Sequence, residues 1–276
     1  MWSPRTTLPY SYSVNGVFLM DKRRDFWNER SKLGREAGSP DLPLKRLEME
    51  AIHAEVLPGL RVLDVGCGNG LLAVSLAEEL QCSVVGLDYA ESMVDASKAL
   101  AASRGVNAEF RVADIRDRRD LDEHADVVVT ERLLINLDTQ EEQHDAILKL
   151  ARVGGLRKLV LCESSHEGNA ELNLLRSSAG LPQIVPPWHN LYLKSAVVSR
   201  AAERAGLSVT EKDFSSSYYF ASRILNALVA QSQGAEPSYD DDIPNMFDAF
   251  RSGSSTLGPT GRTIGQTRIW VLERCS

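Results

Sequence analysis

The chain has little of what ties a sequence to a metal, a membrane or a nucleic acid. Its four cysteines, Cys67, Cys82, Cys162 and Cys275, stand singly. None forms a CxxC pair, so neither a zinc site nor a disulfide framework is expected. No apolar stretch approaches the length of a membrane span. The start, Met1-Trp2-Ser3-Pro4-Arg5, has no apolar run behind it, so no signal peptide is expected. The formal charge of −7 argues against a nucleic-acid partner, because phosphate binding needs a basic face. These absences point to a reduced, soluble, cytoplasmic protein with no metal. Its 276 residues suffice for one large domain or a domain with a substantial cap.

What is present is concentrated in Leu63-Asp64-Val65-Gly66-Cys67-Gly68-Asn69-Gly70-Leu71. The apolar run Arg61-Val62-Leu63 leads in, and Leu71 to Leu80 follows with apolar residues at helical spacing. The whole reads as strand, glycine turn, helix. Glycine tolerates positive φ and lets the backbone pass close under a ligand. The helix N-terminus presents free N–H groups to an anion. A dinucleotide fingerprint would need G-x-G-x-x-G, and Leu71 occupies the place of its third glycine. A nucleotide-dependent oxidoreductase is therefore disfavoured.

With Asp64 two residues ahead of G-x-G-x-G, the chain resembles the class I S-adenosylmethionine-dependent methyltransferases. Val84-Val85-Gly86-Leu87-Asp88 is a short apolar strand ending in an acid, about 20 residues past the glycines, where nucleoside folds place the ribose carboxylate. Phe110-Arg111-Val112-Ala113-Asp114-Ile115 looks like the family's third motif. Asp126 to Thr130 reads as strand four, and Arg152-Val153-Gly154-Gly155 before Lys158 to Cys162 as the turn into strand five. The resemblance is strong from Leu60 to Cys162 and moderate from Ala196 to Phe214. It implies S-adenosyl-L-methionine as cofactor and S-adenosyl-L-homocysteine as product. The implied fold is α/β: a doubly wound, mostly parallel, seven-stranded sheet.

Organisation follows the same reading. Residues 1–58 are expected to form an N-terminal arm and helical cap, with helices from Asp25 to Gly34 and from Leu42 to Leu57. Residues 59–276 form the cofactor-binding core, because alternating strands and helices imply a parallel sheet covered on both faces. Two polar, irregular segments interrupt it, at about 163–193 and 215–265. They are expected to act as substrate-recognising lids, since ligands in open α/β sheets lie beyond the carboxyl ends of the strands. The second contains Arg223, the acid run Asp240-Asp241-Asp242 and a glycine-rich stretch from Gly253.

The resemblance assigns roles to particular residues. Asp64, Gly66 and Gly68 would cradle the methionine end, and Asp88 would hold the ribose. Tyr89 would cover the adenine face, Met93 would also bind the cofactor, and Asp114 and Ile115 would meet the adenine amino group. Glu131 would lie beside the sulfonium. Trp27 and Arg30 resemble a cap helix, with Arg30 placed to pair with the methionine carboxylate. For the acceptor, His189, His166 and Tyr192 are the catalytic candidates, with His189 first as base. Asn136 stands where the family often has an aromatic or histidine. No Asn-Pro-Pro-Tyr motif follows strand four, so nucleic-acid bases are not an expected target. The expected partner is a small polar metabolite methylated on oxygen or nitrogen. Competing readings are a protein or RNA methyltransferase, an oxidoreductase and a non-catalytic cofactor-binding module. The oligomeric state is not legible.

Overall fold

The computed structural model describes residues 17–117, 121, 123–238 and 258–274. The N-terminal arm, the acid run Asp240-Asp241-Asp242, Gly253 and Cys275 lie outside the described residues. Seven strands form one sheet: β1 (Arg61–Val65), β2 (Ser83–Asp88), β3 (Ala108–Val112), β4 (Val127–Glu131), β5 (Lys158–Ser164), β6 (Leu207–Lys212) and β7 (Thr267–Arg274). Their order is β3-β2-β1-β4-β5-β7-β6. All neighbours are parallel except β7, which runs antiparallel to β5 and β6. This is the expected doubly wound sheet.

The central strands are continuous apolar runs because both faces are covered. Leu63, Val128 and Leu159 pack under α5 (Gln140–Leu150) and α7 (Ser195–Ala205). Val62, Val84 and Val160 pack on the opposite face, against α3 (Leu71–Glu79) and α4 (Glu91–Arg104). The strand order reverses between β1 and β4, and that crevice is where α/β sheets take ligands.

The cap is α1 (Val17–Arg30), a 3₁₀ turn (Ser31–Glu36) and α2 (Leu42–His53). The Asp41 side chain accepts from the Leu44 N–H and starts α2 just ahead of Pro43. Contacts tie α1 and the turn after it across the crevice. The Ser92 N–H donates to Asn28 Oδ1 at 3.2 Å, the Asn69 amide donates to the Gly34 carbonyl at 2.5 Å, and Arg23 pairs with Asp138.

Each insertion begins as helix, where an irregular loop was expected, and residues 181–194, 235–238 and 258–266 are irregular. Residues 166–178 form α6 (His166–Ser178), started by the Ser165 hydroxyl accepting from the Gly168 N–H at 3.1 Å. The second insertion opens with α8 (Ser216–Tyr219), a π-helical turn (Phe220–Leu225) and α9 (Asn226–Ser232). Polar residues along these stretches obscured a narrow apolar stripe that includes Leu172 and Ile224. Among the described residues no helix is long and apolar enough to cross a membrane.

Candidate functional site

After β1 the chain turns through Gly66, Gly68 and Gly70, with φ of +77°, +53° and +79°. A side chain on Gly66 would come within 2.9 Å of Leu133 Cβ, and one on Gly70 within 2.6 Å of Ser97 Cβ. Those two glycines are needed for packing. A Cβ on Gly68 would meet nothing within 4 Å. Its conformation is left-handed, and the space beside it is a cavity that Gly66 and Gly68 both line.

The same cavity is lined by Asp88, Tyr89, Met93, Asp114, Ile115, Glu131 and, from the cap, Trp27. Nine of the eleven expected cofactor residues thus meet at one place; Asp64, buried behind the turn, and Arg30 do not line it. The Asp88 carboxylate is fixed by the Gly68 N–H at 2.9 Å and the Ala90 N–H at 2.8 Å. Burial pushes it up to about 6, and those N–H groups work against the shift. Asp114 is held by Arg116 at 2.8 and 2.9 Å. Burial works to raise its carboxyl, but the Arg116 side chain and N–H outweigh burial and hold it below the ordinary value. Arg116 and Arg24 stack over the Tyr89 ring.

Beneath the cradle sits an unbalanced group of charges. Asp64 is 1% exposed, and neither carboxylate oxygen has a hydrogen-bond partner. Burial first, then Glu131, pushes it up to about 8. Glu131 pairs with Lys45 through one oxygen, and its Oε1 is unpartnered. Glu48, fully buried, lies 3.2 Å from Arg132 and is also raised, to about 8, chiefly by burial. A buried carboxylate without a donor is costly. S-adenosylmethionine would bring an ammonium and a sulfonium to such a pocket and two ribose hydroxyls to Asp88, so the residues present fit it.

A second cavity adjoins the first, and Trp27, Gly38, Ser39, Arg132 and Asn136 line both. Arg132 has φ +58°, rare outside glycine. Asn136 donates through Nδ2 to the Arg132 carbonyl at 2.6 Å. A carbonyl takes only a donor, so the amide orientation is fixed and Oδ1 is left buried without a partner. The turn that carries Asn136 is braced by buried Glu163. It accepts from the N–H groups of Leu133, Leu134 and Ile135 and from the Thr130 hydroxyl. Burial pushes Glu163 up to about 7 against those bonds.

The catalytic candidates separate. His189 lines the second cavity, packed against Phe26 and Trp27 at ring distances of 4.6 and 5.7 Å, and its Nδ1 is buried without a partner. Burial, then Arg23 and Arg30, lowers it to about 4. Tyr192 lines that cavity and is buried. His166 lies outside both cavities. It is the exposed first residue of α6, where sequence proximity to His189 misled.

Arg30 does not line the cofactor cavity either. Its guanidinium donates to the Ala37 and Glu36 carbonyls at 2.5 and 2.7 Å and borders the second cavity. The cap guanidinium on the cofactor cavity is Arg35. Lys45, Arg35 and Arg132 were missed because no local spacing marks them, and Arg223 was named only as part of the second insertion. Only the positive φ at Arg132 singles one out, and that is visible only in the structure.

Comparison with known proteins agrees with this geometry. Residues 62–155 match a family model described as a methyltransferase domain. A ubiquinone biosynthesis O-methyltransferase of Neisseria meningitidis is 28% identical over 208 residues, 73% of this chain and 85% of the relative. One of Rhizobium etli is 33% identical over 103 residues, 37% of this chain and 41% of the relative. Magnesium protoporphyrin IX methyltransferase from Synechocystis, solved with bound SAH, superposes with a TM-score of 0.52 at 19% identity, covering 94% of this chain and 95% of that one. The putative methyltransferase of Haloferax volcanii, in complex with its Trm112 activator, gives 0.57 at 18% identity, covering 91% and 98%.

Proposed function

From the premise that the chain belongs to the class I S-adenosylmethionine-dependent methyltransferases, with S-adenosyl-L-methionine as cofactor, we propose that it methylates a hydroxyl oxygen of a small molecule held in the second cavity. The observation that carries this reading is the junction of the two cavities. There Asn136 holds a fixed amide oxygen, Oδ1, buried without a donor, and within the second cavity His189 Nδ1 is likewise buried without a partner. The amide oxygen is an acceptor, and Nδ1 is one in the Nε2–H tautomer; a hydroxyl needs one such group for its proton. The O-methyltransferase relatives support oxygen over nitrogen.

The cofactor supplies an activated methyl group, and the chain's residues supply alignment, desolvation and a proton acceptor. Asn136 Oδ1 accepts from a second O–H or N–H of the small molecule and so orients the hydroxyl to be methylated. His189 takes the hydroxyl proton at Nδ1 as the oxygen becomes an ether. Trp27 and the cap helix exclude water from the junction. Such orientation can lower a barrier by roughly 7–11 kcal/mol.

Two binding results are expected. Asp88→Ala should weaken S-adenosylhomocysteine roughly 10- to 100-fold, since a charge-assisted pair of hydrogen bonds is lost. Unchanged affinity by calorimetry in a folded variant would remove Asp88 from the ribose site.

The second concerns pH. Asp64 is raised to about 8 in the folded protein, so below that pH the folded state holds a proton the unfolded chain has released. Stability from this group is full below the unfolded carboxyl pKa, about 4, and is lost as pH rises toward 8. A ligand ammonium favours the ionised form and reverses that loss. Affinity for S-adenosylhomocysteine should therefore rise with pH, approaching about tenfold per unit below pH 8. Titrations at several pH values check this, and an equal slope in Asp64→Asn would refute it.

The oxygen reading is tested with methyl-labelled S-adenosylmethionine and two matched probes, catechol and 1,2-diaminobenzene. Label is expected in an ether of the first. Label only on the amine would overturn the reading.

A further inference from the structure

Ala146, Ile147 and Leu150 of α5 belong to the core beneath the sheet, and Gln143 begins the same buried stripe one turn earlier. An apolar side chain would continue that stripe. Instead a fully buried amide stands there. Its Nε2 donates to the Leu134 carbonyl at 3.1 Å and to the Leu191 carbonyl at 2.8 Å. Carbonyls only accept, so both contacts need the amino end and the amide cannot turn over. Its Oε1 is left buried with no partner. A buried oxygen without a donor is costly, so packing alone gives no reason for glutamine here.

The two carbonyls belong to different parts of the second cavity's wall. Leu134 lies in the short turn that carries Asn136, and Leu191 follows His189 and precedes Tyr192. The segment bearing His189 forms no helix or strand of its own. It hangs on backbone bonds to its neighbours: the Leu191 N–H donates to the Ile135 carbonyl at 2.6 Å, and the Leu193 N–H to the Ser164 carbonyl at 2.9 Å. Glu163 holds the turn by its N–H groups, and Gln143 holds it by a carbonyl. Gln143 lines neither cavity, so whatever it does there it does through these two segments.

We propose that Gln143 is a positioning residue for methyl transfer: it ties the turn that bears Asn136 to the segment that bears His189 and so sets those two groups relative to each other. The proposal rests on the reading that Asn136 orients the acceptor and His189 takes its proton. Both segments can keep their own backbone bonds and still slide apart. The shared amide forbids that, because its two N–H groups have a fixed separation. A misplacement of about 1 Å at such a site can cost about 10²-fold in rate.

The test is Gln143→Met in the full-length protein, which keeps the length of the side chain and removes both donors. Gln143→Glu is the second variant, since its neutral acid keeps one O–H donor and guards against a folding defect in the first. Calorimetry with S-adenosylhomocysteine should show unchanged affinity, because the cradle is untouched. With ring-labelled histidine, the chain gives five signals, and His189→Asn assigns that of His189. His189 is held low by burial, then by Arg23 and Arg30, among the rings of Phe26, Trp27 and Trp188. In Gln143→Met its titration should move up toward the free value of about 6.5 while that of His53, on α2, stays. Methyl transfer to catechol should fall about 10²-fold in kcat. In a His189→Asn background the same substitution should cost less than about threefold, since the two act through one group. An unmoved His189 signal or an undiminished kcat in folded Gln143→Met overturns the proposal, as do losses that multiply in full. His189→Asn alone reports on the base, so failure of that reading is seen apart from failure of the tie, which the His189 signal reports.

Discussion

Gly68→Val is expected to abolish S-adenosylhomocysteine binding, by more than about 100-fold, while the protein stays folded. The three glycines of the turn share a positive φ but differ in what surrounds them. At Gly68 the missing side chain leaves open cavity, and a branched residue there would fill the space the ligand needs. It would also be forced into a left-handed conformation, a strain of about 1–2 kcal/mol. Strain of that size lowers Tm by only a few degrees in a chain this long. Gly70→Ala is the control. Its Cβ would press on Ser97 Cβ at 2.6 Å and on the Ser97 backbone at 3.1 Å, so its main loss should be in Tm. Calorimetry beside thermal melting separates the two. Normal binding by a folded Gly68→Val protein would make the turn merely structural and leave the cavity without a cradle.

The cradle was legible because its requirements are local. Positive φ demands glycine, and a strand ending in an acid about 20 residues on marks the ribose position. Asp64, Gly68 and Asp88 therefore announce themselves within one βαβ unit. The acceptor side has no such grammar. Arg132, Asp41 and Arg223 are distant in sequence, and only the fold brings them to one cavity. Arg30 was placed on the right helix, but its guanidinium is spent on the turn it closes, and Arg35 takes the cofactor wall. His166 and His189 looked equivalent in a polar stretch. The Ser165 cap turns the first into a surface helix residue, and packing against Phe26 buries the second. Glu163 looked like one more polar residue there, yet it is the brace of the turn bearing Asn136.

His189→Asn should lower kcat by about 10²–10⁴-fold and leave cofactor affinity unchanged. Asparagine keeps a polar group of similar reach but cannot take up a proton at neutral pH. The sequence alone suggests an acid limb near the free-histidine pKa of about 6.5. The structure moves it. Burial and the nearby Arg23 and Arg30 lower His189 to about 4, so the imidazole is neutral in the free enzyme throughout the neutral range. The acid limb of kcat/KM, which reports the free enzyme, should therefore fall near pH 4. A His189→Asn enzyme that keeps kcat within about threefold, with its acid limb intact, would take the proton-accepting role from His189. It would leave Tyr192, in the same cavity, or transfer to an acceptor that arrives already ionised.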